Sequence, residues 1–275
     1  MDLQVKAGLN KELLAFSRSK KLLILACVFI GLSILSPLII AGLSALVESM
    51  SDTYEQIGMD VSGMSEELNS SAMIGVSSQI SDLSFAGLLV FLLLINSYAG
   101  GEQKKRSIII PRNSGLGSMA YILPKFIVYP LSIFILSLLG VLAASVVSSS
   151  IFENNDIVFS RLLAAGVLLG VRNMFYVCLH LALGTATGKA GMSSAVCIVA
   201  ANLLPSFFTV ADAAPVYNPF TMSQTAVSAL YGRESIPDLF ISIILALAIM
   251  AVAYFIALFV QNAKKIDNSG NEIII

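Results

Sequence analysis

The chain has 275 residues, 57% of them hydrophobic and 12% charged, with a mean hydropathy of +0.87 and a formal net charge of -1. That much apolar surface does not fit inside one water-soluble core, so the composition excludes a soluble globular protein and predicts a membrane protein. The net charge decides little by itself, and no nucleic-acid partner is expected; what carries information is where the charges fall.

Residues Leu3 to Arg18 place Leu9, Leu13 and Phe16 on one helical face and Lys6, Asn10, Lys11 and Ser17 largely on the other. An amphipathic helix lying in the membrane interface is expected there, the alternative being a solvated basic leader. Six continuous apolar runs follow, at 22–46, 83–100, 126–147, 162–187, 192–211 and 239–260. Each approaches or exceeds the roughly 20 residues a helix needs to cross the hydrocarbon layer. Strands of a membrane barrel would alternate apolar and polar positions, so the expected fold is all-α: one polytopic transmembrane domain, residues 1–275, with six membrane helices. The first run is too long for the apolar part of a cleaved signal peptide and is expected to stay as a span.

Between the first two runs, residues 48–82 form the longest outer loop, with seven acids and no base. Its Met50, Met59, Met64 and Met73 have no tight spacing and no accompanying His or Cys, so they read as apolar positions of short helices and not as copper ligands. The next connection, 100–125, is the opposite: it carries Lys104, Lys105, Arg106, Arg112 and Lys125. Of sixteen Lys and Arg, thirteen lie in segments that alternate with segments holding only Arg161 and Arg233, while twelve of seventeen acids lie on that second side. By the positive-inside rule both termini and the 100–125 loop are expected in the cytoplasm, in a plasma or inner membrane.

In the fourth run, Arg172, Tyr176 and His180 are four residues apart and share one helical stripe. A cation at mid-bilayer should face protein or water, and the reading finds no carboxylate near the middle of another span to pair with it. Its expected partners are backbone carbonyls, Asn96, Asn202, water or a transported anion. Two roles stay open: Arg172 and His180 mark the translocation path or a lock between subunits, or Arg172 is tied to carbonyls at a helix break. The segment Gly184-Thr185-Ala186-Thr187-Gly188-Lys189-Ala190 has three residues between its glycines and no Ser or Thr after the lysine, so it reads as a helix end and tight turn instead of a nucleotide loop. Cys27, Cys178 and Cys197 lie inside spans without metal-ligand spacing; neither a disulfide framework nor a metal site is expected. No catalytic constellation is seen. The last outer connection, 212–238, is half apolar, and Asn218-Pro219 there suggests the start of a short helix re-entering the outer leaflet.

The loop after the second run reads Gly100-Gly101-Glu102-Gln103-Lys104-Lys105-Arg106-Ser107, then Ile108-Ile109-Ile110-Pro111, and continues to Lys125. A charged turn, an apolar stretch and a proline break suit a short helix lying across the membrane face. Here the chain resembles the membrane subunits of ABC-2-type transporters, the exporter class of ATP-binding-cassette systems. Their second span is commonly followed by a glutamate, a basic run, a Gly-Thr or Gly-Ser pair, an apolar stretch and a proline, with a basic residue opening the third span. Glu102, the basic run, Ser107, Pro111 and Lys125 match; Arg106 stands where glycine is frequent, and Pro124 precedes Lys125 where glycine is usual. The layout of an N-terminal interfacial helix, six spans and an outer excursion before the sixth matches as well.

The resemblance implies that this loop is a coupling helix seated in a separate ATPase subunit, with Glu102, Lys104, Lys105, Arg106 and Ser107 at the contact. It implies a non-enzymatic permease that exports an amphipathic peptide, drug or lipid-like molecule. ATP and magnesium would be bound by the partner ATPase, no cofactor by this chain, and a second copy or homologue of the permease would share the pathway in a lipid membrane. The alternatives are an ion-gradient-driven transporter, a nontransporting membrane scaffold, or a loop whose cations only fix topology and bind anionic lipid.

Overall fold

Apolar side chains cover the outside of this protein, and inside it several polar ones are buried within an otherwise apolar core. Leu23, Ile30, Leu35 and Ile39 on one helix, and Phe240, Ile244, Phe255 and Phe259 on another, are exposed, while Arg172, Asn173, His180 and Gln79 are buried. This inversion suits a hydrocarbon solvent, in which apolar surface costs nothing and polar groups must find partners inside. The computed structural model describes residues 3–56, 71–101, 115–210, 217–266 and 272–274.

In chain order the helices are α1 (Leu3–Ser17), α2 (Lys20–Gln56), α3 (Ala72–Asp82) and α4 (Leu88–Asn96), then α5 (Ser118–Ile151), α6 (Phe159–Thr187), α7 (Ala190–Val210), α8 (Met222–Leu230) and α9 (Ile236–Ala263). A π-helical turn, Leu83–Gly87, joins α3 to α4, and a second, Ser97–Gly101, follows α4, so the four pieces form one rod. Near the C-terminus a short antiparallel ribbon pairs β1 (Lys264–Ile266) with β2 (Glu272–Ile274). Six of these units are long and apolar enough to cross a membrane, in line with the six expected spans.

Helix α6 is the axle of the bundle. Of its most apolar stretch 72% is buried, against 28% for α2 and α7 and 22% for α9. Small residues let its neighbours come close: a Cβ on Gly170 would lie 2.6 Å from the Phe134 ring of α5, and one on Gly100 would lie 2.7 Å from the carbonyl oxygen of Gly184. Helix α6 ends where the sequence suggested. Gly188 caps it with a left-handed φ of 67°, and its N–H donates to the Gly184 carbonyl at 2.9 Å, so the Gly184–Ala190 segment is a helix end.

Two expectations need correction. The second span begins at Ala72, not Leu83, and α2 continues to Gln56, so the connection between them is far shorter than 48–82. The extension places Asp82 inside this candidate span, ten residues from its first residue. Helix α1 forms, but its covered face is Val5, Glu12 and Phe16, with Leu9 half-buried and Leu13 58% exposed. The face is set by α5, on which α1 lies: a Cβ on Gly8 would fall 2.7 Å from the Ala120 carbonyl, the one Pro124 leaves without its helical donor.

Helix α8 fulfils the short helix expected after Asn218-Pro219. The Asn218 side chain accepts from the Phe220 N–H at 3.0 Å, and Met222, Ala226, Ala229 and Leu230 are buried, in contact with α6 and α3.

Candidate functional site

Glu102, Lys104, Lys105, Arg106 and Ser107, with Pro111 and Arg112, lie outside the described residues. Both flanks of their loop are described, and both are clamped to the rest of the bundle. On the leading side, Lys21 of α2 donates to the Ser97 hydroxyl at 2.6 Å and sits 4.2 Å from the centre of the Tyr98 ring. Lys125 of α5, only 3% exposed, donates to the Tyr98 carbonyl at 3.0 Å and lies 4.0 Å from the Tyr121 ring centre. Each lysine thus holds a position in the π-helical turn that ends span two, where i+5 bonding leaves carbonyls off the regular ladder.

Tyr98 then stacks on Tyr129 of α5, centroids 4.8 Å apart at 23°. The Tyr129 hydroxyl donates to Glu12 Oε2 at 2.6 Å, and Lys11 approaches Oε1 at 3.3 Å. Phe16 meets the Tyr129 ring edge-on at 5.5 Å. On the trailing side, the Gln4 side chain bridges the loop end, accepting from the Gly117 N–H at 3.3 Å and donating to the Gly115 carbonyl at 3.4 Å. The loop thus leaves and re-enters through a knot joining α1, α2, α5 and the end of span two. Of the knot, the sequence points to Lys125 through its loop and to Lys11 and Phe16 through the faces of the N-terminal helix, but not to the contacts that join them. Glu12 carried a signal nonetheless, as the single acid within α1.

The second cluster is Arg172, 2% exposed. Its Nη1 donates to the Ser84 carbonyl at 2.9 Å and to Asn173 Oδ1 at 3.2 Å, and its Nη2 donates to the Ala201 carbonyl at 3.1 Å. Both carbonyls have a local cause. Ser84 lies in the first π-helical turn, and Ala201 precedes Pro205 by four, so the proline has no N–H to offer it. A planar fork of donors suits two such carbonyls on different helices better than a point charge does. Asn173 passes the network on, donating to the Ser137 hydroxyl at 2.9 Å.

The expected stripe is real, and its members differ. The Tyr176 ring lies 5.0 Å from the guanidinium, and its hydroxyl has no partner among the described residues. His180 Nδ1 is 2.8 Å from the Ser193 hydroxyl, while its Nε2 is without a described partner. Asn96 and Asn202 do not bond Arg172: Asn96 Oδ1 is buried and unpartnered among the described residues, and the exposed Asn202 amide donates to the Ile198 carbonyl of its own helix at 2.7 Å. Of the partners considered for Arg172, backbone carbonyls hold it.

Among the described residues no group of three or more His, Cys, Asp or Glu is placed to hold a metal ion, and Cys27, Cys178 and Cys197 are free thiols. No protein-family model matches the chain, and no curated protein does either.

Proposed function

We propose that this chain is the membrane subunit of an ABC-2-type exporter, moved by a separate ATPase that grips the loop after span two, residues 100–125. The observation that carries this reading is the knot at the loop's flanks. Lys21, Lys125, Tyr98, Tyr129 and Glu12 tie the loop's leading edge to three other helices, so a force on the loop would reach α1 and spans one, two and three together. A loop that only fixed topology would need its charges and not this attachment. Glu102 and the run Lys104, Lys105, Arg106 supply charge of both signs for the ATPase surface, and Ser107 closes the contact. ATP and magnesium belong to that partner.

Arg172 takes the structural one of its two possible roles. It pins α6 to span two and to α7 through carbonyls that a π-helical turn and a proline have released. Tyr176 and His180, with a hydroxyl and a ring nitrogen left unpartnered among the described residues, are the polar groups available to a translocation path between these helices. A second copy would meet this one on α7, where Asn202 is exposed within a span and a polar side chain facing lipid is costly. The substrate remains an amphipathic molecule of unspecified class, and the membrane is an inner or plasma membrane with the basic loop in the cytoplasm.

One observation favours a second reading, an ion-gradient-driven transporter: Asp82 is a carboxylate within a span. One experiment separates the two. The chain is purified with whatever associates with it and placed in vesicles, and transport is measured with ATP and with an imposed ion gradient. The exporter reading expects vanadate-sensitive, ATP-dependent transport that is lost when Lys104, Lys105 and Arg106 are changed to Glu. Gradient-driven transport by the chain alone would overturn it.

A further inference from the structure

A third polar cluster lies between α2 and α3, apart from the loop and from the Arg172 network. Gln79 is fully buried, and its Nε2 donates to the Ser33 hydroxyl at 3.2 Å. That hydroxyl's single hydrogen goes to the Phe29 carbonyl at 2.7 Å, so Ser33 has only a lone pair to offer the amide. The Gln79 amide is thereby fixed with its nitrogen on Ser33, and its Oε1 is left buried without a partner among the described residues. One turn on, Asp82 Oδ2 lies 2.6 Å from the Ser36 hydroxyl, which is also 2.7 Å from the Leu32 carbonyl. One hydrogen serves two acceptors there.

The backbone adds another oxygen. Pro37 lies inside α2 and has no N–H, so the Ser33 carbonyl lacks its helical donor. The break faces α3, because a Cβ on Gly75 would lie 3.2 Å from Pro37 Cβ. Gly140 of α5 closes the third side: a Cβ there would fall 3.1 Å from Gln79 Nε2 and 3.2 Å from Ser33 Oγ. Two hydrogen bonds cross between the antiparallel helices, joining Ser33 to Gln79 and Ser36 to Asp82. The place is rich in oxygen acceptors and short of hydrogens and of positive charge. Among the described residues Asp82 has no cation within ion-pair distance, and the described ion pair is Lys11 with Glu12. Arg172 reaches this span at the Ser84 carbonyl, two residues on.

We propose that Asp82, Gln79 Oε1, the Ser36 hydroxyl and the Ser33 carbonyl bind one monovalent metal cation of sodium's size. A single carboxylate balances a single positive charge within the bilayer, whereas a divalent ion would leave a charge uncompensated. Hard cations take oxygen ligands, and released carbonyls at broken membrane helices are a recurrent source of them. The ion would tie α2 to α3 immediately before the π-helical turn Leu83–Gly87. It would thus act on the segment whose Ser84 carbonyl Arg172 holds, and exporter and gradient-driven transporter alike could use it.

The test needs only the purified chain, so it stands or falls separately from the ATPase. Thermal stability in detergent is followed while NaCl replaces choline chloride at constant ionic strength, and binding of radioactive sodium is counted in parallel. Saturable stabilisation by sodium with one ion bound per chain is expected. Asp82→Asn and Gln79→Met should each weaken the apparent affinity at least tenfold, while Ser137→Ala, outside the cluster, keeps it. Should Asp82→Asn fail to fold, Gln79→Met carries the test. Equal stability in sodium and choline, an unchanged sodium response in the folded variants, or stabilisation by acid alone with no bound sodium would each overturn the proposal.

Discussion

The Arg172 clamp makes a prediction that only its particular geometry allows. Arg172→Met keeps much of the side chain's bulk and removes three hydrogen bonds, to the carbonyls of Ser84 and Ala201 and to Asn173 Oδ1. Two of these bonds, to the carbonyls, join helices; interhelical hydrogen bonds in membrane proteins are worth about 0.6 kcal/mol on average and about 1 to 2 kcal/mol in favourable cases, so the loss should be about 1 to 4 kcal/mol. One of these bonds exists because Pro205 withholds a donor from Ala201. In a Pro205→Ala background the helix supplies that donor itself. Removing Arg172 then leaves the Ala201 carbonyl satisfied, and Arg172→Met should cost about 1 kcal/mol less. Unfolding free energies of the four proteins in a double-mutant cycle, measured by steric trapping or SDS titration in mixed micelles, give the coupling directly. Independent sites add to within about 0.3 to 0.5 kcal/mol. If Arg172→Met costs the same in both backgrounds within that margin, Pro205 is not the reason Arg172 sits where it does.

The other predictions concern the knot and the close contacts. Tyr129→Phe removes the donor to the buried Glu12 carboxylate and should cost about 1.5 to 3 kcal/mol, as expected for hydrogen bonds to charged groups. Because the loss is local, amide exchange should rise in α1 and not in the middle of α5; unchanged exchange in α1 would refute the attachment. Gly100→Ala and Gly170→Ala both place a Cβ too close to a neighbour, but Gly100 meets the Gly184 backbone and Gly170 a ring that can turn. Gly100→Ala should therefore be the more damaging, near the upper end of the roughly 1 to 3 kcal/mol of overpacking, and equal melting temperatures for the two variants would count against that packing. Ser193→Ala takes away the described partner of His180 Nδ1 and should lower transport while six spans still assemble, if His180 serves the path.

The six spans were legible because apolar length survives any local detail. Span two was read too short because Ser77, Gln79, Ser81 and Asp82 dilute its hydropathy, and they are tolerated where Ser33 and Ser36 receive two of them. That pairing joins residues 46 apart, beyond the reach of periodicity. Arg172 stood out as an anomaly, yet its partners were hidden in backbone chemistry. A proline four residues after Ala201 marks a released carbonyl, and the sequence contains that sign for anyone who scans spans for prolines with a buried cation in mind. The face of α1 was misjudged because hydrophobic periodicity assumes lipid below, whereas α5 lies there and offers the Tyr129 hydroxyl to Glu12. Helix α8 was readable from Asn218-Pro219, since an Asx turn is written locally.

The central claim, that the 100–125 loop is the handle of an ATPase, is tested most directly by crosslinking from that loop. A photoreactive amino acid at position 105 of the full chain in its native membrane should give an adduct with an ATP-binding protein. The adduct should fall away when Lys104 and Arg106 are changed to Glu, and a reagent confined to the outer surface should not reach a cysteine placed at 105. Labelling from outside, or transport by the purified chain with no ATPase present, would contradict it.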